Sequence, residues 1–292
     1  MAESPNEPRS ILVTGASRGL GLASATELYR RGWHVLAAMR SPDVGVARLY
    51  DATGAEPGDP RLTPIAIDLD DQQSIADAAK AVIDAVGAPD VVVHNAAFTA
   101  VGTVEEMPGD VVEQVFMTNV LGPVRLTAEV LPAMRDRGRG RVVVICSQGG
   151  VRGMPAISAY SASKAALERW AESLAHEVAP FGLGVTVLIA GTFKTDILTD
   201  TSRYTDPEGP YAPLHAALDR IGDKITGTAK PPEYFATRLA NYVETDTAPL
   251  ERHAVGADAH AVVVGSSLLP GRIFRSVVAR ATGIPRPKRP GH

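Results

Sequence analysis

The chain has 292 residues, 45% of them apolar and 21% charged, with a formal net charge of -4 and a pI near 6.0. That acidic balance gives no general attraction to nucleic acid or to an anionic membrane, and the apolar share is enough to bury the core of one large domain. The single cysteine, Cys146, cannot close an internal disulfide, no run is apolar enough to span a bilayer, and the seven histidines form no metal-ligand cluster, so a cytoplasmic, metal-free protein is expected.

Short β-branched runs alternate with longer amphipathic ones. Strands are predicted at 11–13, 33–37, 64–67, 90–94, 141–145, 184–189 and 253–255, and helices at 19–31, 44–53, 72–86, 104–136, 158–180 and 232–245. Near-continuous apolar strands separated by helices predict a single-domain α/β fold of the Rossmann type, a doubly wound parallel sheet of about seven strands. The domain is expected over 10–283, with loose tails at 1–9 and 284–292. From 195 to 232 the pattern weakens and prolines interrupt it, which predicts a substrate lid rather than a helix. Ligands on such sheets bind beyond the carboxyl ends of the strands, where Gly15, Asp68, Asn95, Ser147 and Gly191 fall.

Directly after the first strand, Thr14-Gly-Ala-Ser-Arg-Gly-Leu-Gly21 opens a helix with glycines at 15, 19 and 21. Such a turn lets backbone approach a pyrophosphate, whose charge then meets the amides and positive end of the helix. Gly15, Ser17, Arg18, Gly19, Leu20 and Gly21 are therefore candidates for a dinucleotide. A cofactor without a 2'-phosphate usually meets an acid at the end of the second strand, but here the chain reads Ala38-Met-Arg40. Arg40 and Arg18 suit bidentate recognition of a phosphate, so NADP(H) is expected over NAD(H). The opposing reading has Asp43 on the ribose and Arg40 in solvent.

Farther along, Tyr160 and Lys164 stand one helical turn apart. Residues at i and i+4 share a face, so the ammonium is expected to draw the phenol's pKa down toward neutrality and make it a general acid and base.

Together with Asp68-Leu69, His94-Asn-Ala-Ala97, Asn119, Ser147 and Ala190-Gly-Thr-Phe-Lys-Thr195, these motifs resemble the classical short-chain dehydrogenase/reductase family, over about 10–200 and more loosely to 258. A weaker resemblance points to its hydroxysteroid and retinol dehydrogenase branch. The resemblance implies that Tyr160 exchanges a proton with substrate oxygen, that Lys164 supports it and holds the nicotinamide ribose, and that Ser147 orients the substrate oxygen. It further implies that Asn119 anchors a relay water to Lys164, that Asp68 and Leu69 lie near the adenine, Asn95, Ala96 and Ala97 near the adenosine ribose, and Thr195 near the carboxamide, with Gly191 also binding the cofactor. It also implies a homodimer or homotetramer. His94 and Ala97 replace an asparagine and a glycine of the family's usual motif, and Ala190 replaces a proline, changes that bear on cofactor placement and lid mobility.

The activity so implied is hydride transfer between the nicotinamide and a carbonyl or alcohol of a hydrophobic small molecule. The alternative is a silent NADP(H)-sensing regulator on the same fold. Phe98, Gln148, Arg152, Met154, Phe193 and Tyr204 are candidate pocket positions, and the segment around Leu268–Phe274 is expected to pack on its own domain, the alternative being that its apolar face touches a membrane.

Overall fold

The computed structural model describes residues 8–196, 201–246 and 248–281. Seven strands, β1 (Ser10–Thr14), β2 (His34–Met39), β3 (Leu62–Ala66), β4 (Val91–His94), β6 (Gly140–Ser147), β7 (Leu183–Ala190) and β9 (Leu250–Val255), form one sheet in the order β3-β2-β1-β4-β6-β7-β9. Every neighbouring pair is parallel. A separate two-stranded ribbon joins β5 (Ala100–Val101) to β8 (Ser202–Arg203).

The period of two along each strand sends alternate residues to opposite faces. Ile11 and Val13 meet one cluster, built with Leu28 of α1 (Gly19–Arg30), Leu49 of α2 (Pro42–Thr53) and Phe235 and Leu239 of α9 (Pro232–Glu244). Leu12 meets the other, with Ile75 and Val82 of α3 (Gln72–Val86), Leu126 and Met134 of α5 (Gly122–Arg137) and Leu167 and Leu174 of α7 (Ser158–Val178). Phe235 is completely buried, and cutting a side chain of that size to alanine costs about 3–5 kcal/mol. The chain leaves β1 toward β2 and β3, then returns to β4 on the opposite side, so the strand order reverses between β1 and β4. The carboxyl ends beside that reversal form the crevice in which such sheets bind ligands.

Three elements differ from the sequence reading. The helix expected over 104–136 begins later, as α4 (Gly109–Phe116), because Pro108 starts it and Glu106 turns back to accept hydrogen bonds from Thr103. A π-turn, Met117–Leu121, then joins α4 to α5. Second, the expected patternless lid contains a helix of 17 residues, α8 (Ala212–Thr228), and its earlier part pairs with β5 through β8. Third, β9 is followed by α10 (Ala257–Leu268) and α11 (Gly271–Ala281). Lid residues 197–200, most of the amino-terminal tail and all of 284–292 lie outside the described residues.

Candidate active site

Above the carboxyl ends of the strands lies a cleft of about 840 Å³. At one end the glycine turn is tied to β4 by a compact polar knot. Thr14 Oγ1 accepts from the amides of Asn95 (3.0 Å) and Ala96 (3.1 Å) and donates to Val93 O at 3.3 Å, while Asn95 Nδ2 donates to Thr14 O at 2.8 Å. Gly15 has φ +69°, and a Cβ on Gly21 would stand 2.1 Å from Gly15 O, so the turn closes only with glycine at both places. Gly15, Ser17, Arg18, Gly19 and Leu20 line the cleft, whereas Gly21 lies behind it, shaping the turn.

At the end of β2, Arg40 is exposed and lines the same cleft as Arg18. A third guanidinium, that of Arg48 on α2, joins them there. Sequence reading missed Arg48, although it follows Arg40 by about two helical turns. Asp43 sits in the first turn of α2 and is not among the described residues of the wall. Asp68, Leu69, Asn95, Ala96 and Ala97 line the middle of the cleft. Asp70, also missed, stands beside them and accepts from Thr118 Oγ1 at 2.5 Å. Asp71 caps α3 by accepting from the Gln73 amide.

Farther in, Ser147, Tyr160 and Lys164 converge on the cleft from β6 and α7. Ser147 ends its strand and caps the short helix α6 (Gln148–Val151), accepting from the Gly149 amide at 3.1 Å. Lys164 is 2% exposed; its Nζ donates to Ile145 O at 2.8 Å and lies 5.9 Å from the centre of the Tyr160 ring. The expected lowering of the Tyr160 pKa does not occur. Loss of water around the phenol pushes it up to about 12, outweighing the hydrogen bond with Ser147, while burial also lowers Lys164. The ammonium is spent on a backbone carbonyl.

Asn119 is wholly buried in the π-turn and does not line the cleft. Its Oδ1 accepts from Phe98 N at 2.7 Å, and its Nδ2 donates to Phe98 O (2.9 Å) and Ser163 Oγ (3.0 Å). Ser163 Oγ in turn donates to Tyr160 O at 2.8 Å. The amide therefore braces the start of α7 against the segment after β4.

The far end of the cleft is walled by Phe98, Val101, Met154, Ile157 and Phe193, with Gln148 and Gly191 at its edge, whereas Thr195, also in the wall, stands against Gly19 of the glycine turn. Arg152 and Tyr204 are not among the described wall residues. Arg152 carries a buried Nε and Nη1 without hydrogen-bond partners, and burial lowers its pKa against the opposing charge of Asp258. Asp258, from the start of α10, clamps the edge. Its Oδ2 accepts from Thr192 N at 2.7 Å and Gln148 Nε2 at 2.9 Å, and a Cβ on Gly191 would stand 2.0 Å from Oδ1. No local sequence signal joins Asp258 to residues so far upstream.

Comparison with known proteins agrees with this architecture. The family model described as short chain dehydrogenase matches residues 9–205. An uncharacterized oxidoreductase of Bacillus subtilis, YusZ, is 37% identical over 92% of this chain and 96% of its own length. Human retinol dehydrogenase 8 is 30% identical over 84% of this chain and 81% of its own. A crystal structure of a short-chain dehydrogenase from Streptomyces avermitilis superposes with a TM-score of 0.77 at 33% identity, covering 96% of this chain and 97% of that one.

Proposed function

The chain belongs to the short chain dehydrogenase family and is an NAD(P)-dependent oxidoreductase, and we propose that it is linked to NADP(H) and acts on a carbonyl or alcohol of an apolar small molecule, with Tyr160 as acid and base. The residues present fit a dinucleotide. The glycine turn, which Gly15 and Gly21 allow to close, presents Gly15, Ser17, Arg18, Gly19 and Leu20 to the cleft, and the cleft beside it has room for a ligand of that size. Arg18, Arg40 and Arg48 suit a phosphate on the ribose, and Asp43 stands away from the wall.

When bound, the nicotinamide supplies or accepts the hydride. The protein's own part is to handle the proton and the charge. In reduction the Tyr160 hydroxyl donates its proton to the substrate oxygen, and Ser147 donates a hydrogen bond to the same atom. A phenol with a pKa near 12 remains a far stronger acid than the alcohol it forms, so the transfer runs downhill as negative charge develops. Lys164 offers a buried positive charge beside the phenol; Asn119, through Ser163 and Phe98, holds the start of α7 in position. The apolar walls supplied by Phe98, Met154, Ile157 and Phe193, together with the likeness to a retinol dehydrogenase, support a hydrophobic substrate.

The observation that carries this reading is one cleft holding the Ser147, Tyr160 and Lys164 side chains at one end and the glycine turn with three guanidinium groups at the other. Its test is a screen of hydrophobic aldehydes, ketones and alcohols followed by NADPH absorbance. Tyr160→Phe should lower turnover at least about 10²-fold while NADPH still binds. An undiminished variant would overturn the role given to Tyr160, and tight NADPH binding with no turnover of any substrate by the wild type would overturn the enzymatic reading and favour the regulator.

A further inference from the structure

The sequence from Ala259 to His292 contains six arginines and lysines and no carboxylate, in a chain whose net charge is -4. The described part of this stretch, up to residue 281, carries an apolar surface. Of the ten large hydrophobic residues exposed among the described residues, five lie between 264 and 277: Val264 (39%), Leu268 (76%), Leu269 (39%), Ile273 (50%) and Val277 (49%). They form two i, i+4 pairs, Val264 with Leu268 on α10 and Ile273 with Val277 on α11, on either side of the turn at Pro270. Phe274 packs toward Gly265 and so holds the two helices together while leaving these pairs outside.

At 100° per residue, positions 273, 274, 277, 278 and 281 of α11 share one arc and are all apolar, while the arginine positions 272, 275 and 280 share the other. A narrow apolar face bordered by arginine is the pattern of a helix that lies in a lipid–water interface. No described helix is long and apolar enough to cross a membrane, so the contact is with the surface.

We propose that the α10–α11 hairpin docks on an anionic lipid surface, with Ile273, Val277 and Leu268 entering the interface and Arg272 and its neighbours meeting the headgroup phosphates. Charge complementarity favours lipid over a second copy of the chain. A two-fold contact centred on this patch would set Arg272 against its own image, and no carboxylate after Asp258 could neutralise it. Asp258 lies ten residues before Leu268 on α10, about 15 Å, so docking would hold the cleft edge close to the lipid.

The test is flotation of the full chain with vesicles of phosphatidylcholine alone or mixed with phosphatidylglycerol. Binding to the mixed vesicles should exceed binding to phosphatidylcholine at least tenfold and fall as salt screens the charges. Each cation near such a surface is worth about fivefold in partitioning, so Arg272→Glu should weaken binding by at least that factor. The double variant Ile273→Ser/Val277→Ser should lose binding while keeping the wild-type circular dichroism spectrum and melting temperature. No binding to the mixed vesicles, or equal binding to both kinds, would overturn the proposal. So would vesicle-free behaviour in which the double variant only splits a dimer in sedimentation equilibrium, since the patch would then join two copies.

Discussion

His94 makes the stability of the fold dependent on pH in a calculable way. It is 1% exposed, and its Nε2 lies 2.7 Å from Thr127 Oγ1. Its ring meets Trp170 edge to face at 6.1 Å, and its Nδ1 is buried without a partner. Burial, reinforced by the nearby charge of Lys164, depresses its pKa to about 3. In the unfolded chain the imidazole titrates at its ordinary value, about 6.5. The unfolded state therefore binds more protons between those two values, and stability falls as pH drops through that window. Going from pH 7 to pH 5 should cost about 2 kcal/mol through this one residue, a large share of the 5–15 kcal/mol that typically separates folded from unfolded states. The assay is urea unfolding of wild type and His94→Asn at both pH values. Asparagine has lost contact with Trp170 and will lower stability at every pH, so the informative quantity is each protein's own difference between pH 7 and pH 5. That difference should be smaller by about 2 kcal/mol in the variant. Equal differences would refute the assignment of this proton uptake to His94.

Replacing Arg40 or Arg48 by alanine should raise KM for NADPH several-fold and leave KM for NADH nearly unchanged; a preference for NADH in the wild type, unaltered in Arg40→Ala, would sink the NADP(H) assignment. Because burial raises the Tyr160 pKa, kcat/KM for alcohol oxidation should climb nearly tenfold per pH unit and still be rising at about pH 9. A plateau near neutrality in stopped-flow or steady-state rates would mean that Lys164 overcomes burial in the working enzyme. Gly191→Ala drives a methyl into the Asp258 carboxylate and should cost about 1–3 kcal/mol, which Gly191→Ala/Asp258→Ala should largely restore. Additive losses in thermal melts would show that something other than Asp258 opposes the methyl group.

What could be read from the sequence was what depends on local spacing. The strand–glycine turn–helix unit, the i, i+4 placement of Tyr160 and Lys164, and the apolar runs of β1, β4, β6 and β7 carry their geometry within a few residues, and they gave the sheet and most of the cleft wall. Helix α8 carries a helical period in Leu214, Ala217, Leu218, Ile221 and Ile225, but the prolines at 207, 210 and 213 just before and within its first turn are the signature of a loop. Helix α10 was hidden by its own residues, since Val262, Val263 and Val264 favour a strand and only tertiary packing selects the helix.

The Tyr160 pKa failed for a different reason. Spacing says that Lys164 can share a face with the phenol, but says nothing of how much water either loses, or that Nζ finds Ile145 O. Removing the phenolate's charge from water costs more than the hydrogen bond with Ser147 returns, and Lys164, itself desolvated and bonded to a carbonyl, does not reverse it, so burial decides the sign. At His94 nothing opposes burial, since the neighbouring charge of Lys164 disfavours the imidazolium as well. A lone i, i+4 pair therefore predicts which groups meet, and the depth at which they meet sets the direction in which each titrates.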